Sequence, residues 1–407
     1  MPQFRAAWLL PISQPPIRDA WILTERGRIV AFGHSQPGDF TPSGEIDLGN
    51  VAILPGVVNA HTHLELSWLR GRVPVTDDFP GWIRSVVKLI YQTQEHAEEA
   101  ARAISDAVDE ARRCGTALVG DISNDLVTSR ILAERRLAAL VFHELIGFKN
   151  HNVAKTMADA LERLAVMPSN GLLRHSLAPH APYSVSPALF SAIKAEVGRD
   201  PIARSSVHLA ESEAEVKFLE DGTGPWRQFL EDMSAWDPAW TAPGCGPVEY
   251  LEKMSIIDDR LLIVHGVQLT DAELARIAAS GATLVTCPRG NIRTGAGAPP
   301  VDDFFRHGVR VAVGTDSLAS VPDLNIFSEL AELRRLAPTV PARALLQSAT
   351  INGARALGFE ADFGSIEAGK RDSLISVDLP GPLLNVEEYL VSGIDPALIR
   401  WLAASER

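Results

Sequence analysis

Four apolar, β-rich stretches of this chain run directly into residues that can bind a metal or move a proton, and this recurrence constrains the fold more than any other feature. Val51-Ala52-Ile53-Leu54, followed by a Pro55-Gly56 break, leads through Val57-Val58-Asn59-Ala60 to His61-Thr62-His63. Ser206-Val207 leads to His208-Leu209-Ala210-Glu211, Leu261-Leu262-Ile263-Val264 to His265-Gly266, and Val309-Arg310-Val311-Ala312-Val313 to Gly314-Thr315-Asp316-Ser317. Chemistry collected at the C-terminal ends of strands is the trace of a parallel barrel.

His61 and His63 stand at i and i+2 on an extended segment, so both imidazoles leave the same face about 7 Å apart and can reach one ion. Elsewhere helical and β-rich stretches alternate. Glu95–Arg113 carries apolar residues at Ala97, Ala101, Ile104, Val108 and Ala111, and reads as an amphipathic helix. Gly115 and the strand-like Ala117–Asp121 follow, then Ala138–Glu144 and, later, Ala282–Cys287. That alternation implies parallel strands with crossover helices, as in a (β/α)8 barrel. The 407 residues suit such a barrel, typically about 250 residues, together with a second module. Before the barrel, Ala20–Thr24 and Arg28–Phe32 read as strands around the turn Glu25-Arg26-Gly27. The Trp-, Pro- and Gly-rich stretch 222–247 reads as a long loop, either an active-site rim or a surface insertion packed by its own tryptophans.

Apolar residues make up 46% of the chain, enough for a large core, and no run reaches the roughly 18 apolar residues of a membrane span. The segment from Met1 to Pro11 lacks the pattern of a secretory signal, so the expectation is a cytoplasmic protein. Cys114, Cys245 and Cys287 are too few and too scattered for a disulfide framework or a thiolate zinc site. A net charge of −13 with no basic run argues against nucleic acid as a partner. A homo-oligomer is left open. Any metal must be held by histidine and carboxylate, a donor set suited to Zn²⁺ or Fe²⁺.

Six motifs in order carry a resemblance: Pro55–His63, Ala178-Pro179-His180-Ala181-Pro182-Tyr183-Ser184, His208-Leu209-Ala210-Glu211, Val264-His265-Gly266, Cys287-Pro288-Arg289-Gly290-Asn291 and Gly314–Ser320. With them the chain resembles the amidohydrolase superfamily, in its deaminase and chlorohydrolase branch, nearly end to end. The resemblance implies an α/β fold: a (β/α)8 TIM-like metal-dependent hydrolase barrel over 56–359, with a small β-sandwich domain built from both chain ends, 1–55 and 360–407. It implies His61, His63, His208 and Asp316 as ligands of one divalent ion, Zn²⁺ first and Fe²⁺ second. His265 would orient a water on that ion, Asp316 would also take the water's proton, and Glu211 would protonate a ring nitrogen of the substrate.

No lysine stands where binuclear relatives form a bridging carbamate; His143 and Glu144 occupy that strand end, so a mononuclear site is expected. Trp82, His180, Glu144 and Asn291 are the candidate substrate contacts, Trp82 by stacking on a purine. Arg289 is a further candidate for shaping the pocket. Two departures touch the small domain: Arg371-Asp372-Ser373-Leu374 replaces an Ala-Asp pair, and the chain closes on Ile399–Ala404 without the usual Val-rich strand. The activity implied is hydrolytic removal, as ammonia, of the exocyclic amino group of an adenine-type nucleoside. Aminodeoxyfutalosine stands slightly ahead of S-adenosylhomocysteine, methylthioadenosine and adenosine. Alternatives are guanine, cytosine or triazine hydrolysis at the same site, and a non-catalytic scaffold, which the intact ligand set opposes.

Overall fold

The computed structural model describes residues 2–34, 45–92 and 97–402. Met1, Glu95 and Ala403-Ala404, which entered the reading above, lie outside the described residues.

The N-terminal part supplies β1 (Gln3–Leu9), β2 (Ile17–Glu25), β3 (Arg28–His34), β4 (Glu45–Asp47) and β5 (Val51–Pro55). Eight strands follow: β6 (Val57–Thr62), β7 (Thr116–Ser123), β8 (Ala138–Leu145), β9 (Leu173–Pro179), β10 (Ser205–Leu209), β11 (Leu261–His265), β12 (Thr283–Thr286) and β13 (Arg310–Val313). The chain closes with β14 (Leu374–Asp378) and β15 (Ile399–Trp401).

The middle strands form two four-stranded parallel sheets, β6-β7-β8-β9 and β10-β11-β12-β13. Hydrogen bonds cross between the sheets at both ends. His208 N–H donates to His180 O at 2.9 Å and Ser205 Oγ to Leu177 O at 2.9 Å. On the other side Asp316 N–H donates to His61 O at 3.1 Å, and Thr62 bridges Asp316 in parallel. These strands are buried on both faces, which is why they read as apolar runs rather than alternating patterns.

The helices between them carry their own start and stop signals. Ala97–Arg113 has Glu98 and Glu99 in its first turn and Arg112 and Arg113 in its last, matching the helix dipole at each end. Asp271–Ser280 begins on a Thr270/Glu273 capping box and ends on Gly281 in the left-handed conformation.

Both chain ends meet in one seven-stranded sheet, β15-β14-β5-β1-β2-β3 with β4 paired to β1. Where a two-layered sandwich was expected, the described residues form a single hydrogen-bonded sheet with a separate apolar cluster on each face. Alternation along β5 explains this. Ala52 and Leu54 pack with Ile375 and Val377 against the helix Ile326–Leu336, whereas Val51 and Ile53 join Phe4, Ile22 and Ile29 on the opposite face. The closing strand is present as the three-residue β15, which pairs antiparallel with β14 through Ile375↔Trp401 and Val377↔Ile399. In 222–247 the expected loop contains a helix, Pro225–Asp232, started by a proline at its first turn. No helix among the described residues is long and apolar enough to cross a membrane.

Candidate active site

The C-terminal ends of the parallel strands surround a cavity of about 410 Å³, lined by His63, Glu144, His180, His208, Glu211, His265 and Asp316 among others. His61 lies against these residues and is 1% exposed. Its ring sits 4.9 Å from His63, 5.0 Å from His208 and 5.7 Å from His265, centroid to centroid. Asp316 Oδ1 lies 3.8 Å from His61 Nε2 and 3.6 Å from His63 Nε2, and His208 Nε2 lies 3.4 Å from His63 Nε2.

Burial sets the protonation of this cluster. It holds the imidazoles of His61, His63, His180 and His265 well below the ordinary histidine range, with further depression from neighbouring histidines, and takes His208 to about 4. Neutral imidazoles offer lone pairs, the form in which histidine binds a metal. Both ring nitrogens of His61 are buried without any hydrogen-bond partner. Such atoms are costly to leave unpaired, and a cation among His61, His63, His208 and Asp316 would satisfy the one that carries the lone pair, with Nε2 the nitrogen on the Asp316 side. His61, His63 and Asp316 already converge with ligand atoms within 4.8 Å of one another, as do His61, His208 and His265. The donor set therefore fits a divalent transition ion.

Neighbouring groups fix which nitrogen faces inward. His208 Nδ1–H donates to His180 O at 3.0 Å, turning Nε2 to the cluster. The Asn291 amide N–H donates to His265 Nδ1 at 2.9 Å, which leaves the His265 proton on Nε2, 3.3 Å from Glu211 Oε1. Asn291 thus stands behind His265 and is not among the residues lining the cavity. Arg289 likewise turns away, to Glu329 and Asp323. Asp316 Oδ2 accepts from Ser320 Oγ at 2.8 Å; burial raises this carboxyl to about 6 against that bond. Burial raises Glu211 well above the carboxylate range, with Asp316 and Glu215 adding repulsion, and raises Glu144 to about 8.

The backbone is strained at three of these strand ends. Ala210 (φ 53°), His265 (φ 78°) and Asp316 (φ 61°) are all non-glycine residues in the left-handed region.

Several participants escaped the sequence reading. Glu215 accepts the backbone N–H groups of Ala210 at 2.9 Å and Glu211 at 3.1 Å, so it holds the turn that presents Glu211. Its signal was the Ser212-x-x-Glu215 spacing of a helix start, where the Ser212 side chain accepts from Glu215 N–H. Asn124 donates to Glu144 Oε2 at 3.1 Å and is itself held by Glu65, which also accepts from Ser123 Oγ at 2.7 Å. Tyr183 stacks on Trp226 with ring centroids 3.9 Å apart, and both line the cavity. The 222–247 segment therefore combines both roles considered for it. Trp226, Phe229, Leu230, Met233 and Ala235 form a cavity wall, while Trp236 and Trp240 pack around Phe148 and Phe218. Trp82 also lines the cavity and stacks on Phe79, whose ring meets Trp226 edge-on at 6.0 Å.

Gly314 lets two strands approach behind this cluster: a Cβ there would fall 2.5 Å from His61 O and 2.8 Å from His61 Cβ. Gly314→Ala must push β6, and His61 with it, at a cost of about 1–3 kcal/mol. The expected result is a lowered melting temperature together with loss of bound metal. Gly381→Ala, with nothing within 4 Å of the new Cβ, is the control and should match the parent in both measurements.

Comparison with known proteins agrees with this geometry. A model of the amidohydrolase family matches residues 52–399. The 5-methylthioadenosine/S-adenosylhomocysteine deaminase of Moorella thermoacetica is 31% identical over 401 residues, covering 94% of this chain and 88% of that one. A crystal structure of an adenosine deaminase from Xanthomonas campestris, with bound zinc, superposes with a TM-score of 0.82 at 28% identity, covering 98% of this chain and 90% of that one. The Helicobacter pylori aminofutalosine deaminase in complex with methylthio-coformycin shares the fold at a TM-score of 0.84 and 24% identity, with 96% and 95% coverage. With an ordered set of strand-end residues gathered at one cavity and a family match spanning most of its length, the chain belongs to the amidohydrolase family.

Proposed function

We propose that this protein is a metal-dependent deaminase that hydrolyses the exocyclic amino group of an adenine-type nucleoside to ammonia. The observation that carries the reading is the pairing of Glu211 with His265, 3.3 Å apart, beside the buried His/Asp cluster and inside a cavity with apolar outer walls. His61, His63, His208 and Asp316 would hold the ion, for which we favour Zn²⁺. The chemistry supplied there by a divalent ion is activation of a water near neutral pH.

The residues divide the proton work. His265 Nε2–H donates to Glu211 Oε1, so the second Glu211 oxygen is the one that carries a proton to a ring nitrogen of the base. A buried carboxyl raised above its ordinary range keeps that proton near neutral pH, as a general acid requires. Asp316 Oδ1, with Oδ2 fixed by Ser320, accepts the proton lost by the attacking water. Addition at C6 is followed by collapse, in which the proton held by Asp316 passes to the amino group, the C6–N bond breaks to release ammonia, and the C6 hydroxyl returns a proton to Glu211. Trp82 and His180 stand at the cavity wall where a base would stack or be hydrogen-bonded; His180 Nδ1 is paired with Ser184 Oγ at 2.5 Å.

The outer cavity narrows the substrate. Its walls are Phe79, Trp82, Ile83, Val86 and Val87 on one helix and Trp226, Phe229 and Leu230 on another, with Met233 just past its end, which supports a nucleoside with an apolar 5′ substituent. Filling such a wall with one methylthio group is worth about tenfold or more in kcat/KM. Ammonia release should therefore be faster from 5′-methylthioadenosine than from adenosine by at least that factor. Failure of every adenine nucleoside to release ammonia from metal-loaded protein would remove the reading.

The same proposal takes the two parallel sheets as one (β/α)8 barrel, supported by hydrogen bonds across both junctions, and residues 1–55 with 360–407 as a separate unit, supported by their shared sheet. A cytoplasmic location is supported by the three free, buried cysteines.

A further inference from the structure

Arg289 takes no part in the proton transfers above, yet it anchors the helix on which Asn291 stands. That helix, Pro288–Thr294, follows β12 and lies between the two groups that handle protons. Asn291 donates to His265 Nδ1 at 2.9 Å. On the other side the helix backbone lies against Asp316 and its anchor: a Cβ at Gly290 would fall 3.3 Å from Asp316 Oδ2 and 3.4 Å from Ser320 Oγ. Arg293 Nε donates to Ser320 O at 3.0 Å and secures that side.

Seven residues are too few to hold a helix in place by themselves, and Cys287 supplies no side-chain cap. The anchor comes from the helix Ile326–Leu336. Its Glu329, 0% exposed, accepts the Arg289 backbone N–H at 3.1 Å on one oxygen and Nε at 2.8 Å on the other. The first bond satisfies a free N–H of the helix start, and the two together fix rotation as well as distance. The terminal nitrogens of Arg289 reach the Asp323 carboxylate, Nη1 at 3.2 Å and Nη2 at 3.0 Å, and Nη2 also donates to Asp323 O at 3.1 Å.

A buried ion pair is a weak source of stability, because apolar residues of similar volume often do as well. What a guanidinium fork adds is direction. Asn291 is two residues on, about 200° round the helix, so it faces β11 while Arg289 faces Glu329. A rotation of about 20° would carry an atom about 5 Å from the helix axis through about 1.7 Å, enough to break the bond to His265.

We infer that Arg289 is a positioning residue for the deamination: its grip on Glu329 and Asp323 sets the rotation of the helix Pro288–Thr294 and so keeps Asn291 on His265 Nδ1. The inference rests on the role given to His265 in the proposed reaction. Arg289→Met alone would leave Glu329 buried without its cation, so the test pairs it with Glu329→Gln. Histidine nitrogen NMR spectra of the metal-loaded full chain are recorded, with the His265 signals identified by their loss in His265→Asn. In the double variant the His265 Nδ1 signal should shift in the direction that Asn291→Ala shifts it. Metal content should match the parent, because Arg293 still holds the Asp316 side. With 5′-methylthioadenosine, kcat should fall about tenfold and KM change by less than about threefold, the pattern of lost orientation rather than lost binding. In a His265→Asn background the same pair should cost less than about twofold more. A merely structural role would lower the melting temperature and leave the Nδ1 signal in place. An unmoved Nδ1 signal in the double variant, or an undiminished loss of kcat in the His265→Asn background, would overturn the inference. Absence of ammonia release from the parent would instead defeat the proposed function, and the Nδ1 signal would still decide the place of Arg289.

Discussion

Glu211→Gln is expected to lower kcat for ammonia release by about a hundredfold or more while leaving metal content unchanged. The amide keeps the size of the side chain, and the turn that presents it is held from outside by Glu215, which accepts the N–H groups of Ala210 and Glu211. What is lost is the transferable proton. A glutamine can still face His265 Nε2, so substrate affinity should change less than turnover. Metal analysis and steady-state kinetics on the same preparation check this, and a kcat close to the parent would take Glu211 out of the proton path.

A still larger loss is expected from Asp316→Asn, and its comparison with His265→Asn separates two groups that share one cavity. Asp316 sets a carboxylate oxygen within 4 Å of Nε2 of both His61 and His63. The neutral amide should lower metal affinity and nearly abolish turnover. His265 is anchored from behind by Asn291, with its proton directed at Glu211 rather than a lone pair directed at the cluster. His265→Asn should therefore retain most of the metal and lose about ten- to a hundredfold in kcat, the scale on which partners outside the ligand set act. Elemental analysis of each variant before kinetics decides the matter. Equal metal loss in both would make His265 a ligand and contradict the tautomer inferred from Asn291.

Much of this site is legible in the sequence because its groups sit at the ends of apolar strands. His61, His208 and His265 lie in or at the end of β6, β10 and β11, and Asp316 follows β13 by three residues, so local pattern alone marks their positions. Relations between elements leave no such mark. The chain from Glu65 through Asn124 to Glu144 links three segments, and nothing in the spacing shows that Asn124 gives its backbone N–H to one carboxylate and its side-chain amide to the other. Asn291 shows the same limit: its motif locates it, but only the packing of its helix start against β11 puts it behind His265 instead of in the cavity. In the small sheet, β4 and β15 have three residues each, too short to carry a period, and the partition of β5 between two cores depends on what lies on either side.

The left-handed backbones of Ala210, His265 and Asp316 bear on how far this scaffold can be made heat-resistant. Each such residue costs roughly 1–2 kcal/mol relative to a relaxed backbone, and glycine is the usual remedy. At Ala210 that exchange is open, since no side-chain chemistry is lost. At His265 and Asp316 it would delete the imidazole or the carboxylate on which the proposed turnover depends. Two of the three relaxing substitutions are thus closed to any lineage that keeps the reaction, and gains in thermal tolerance beyond Ala210 have to be found away from these strand ends.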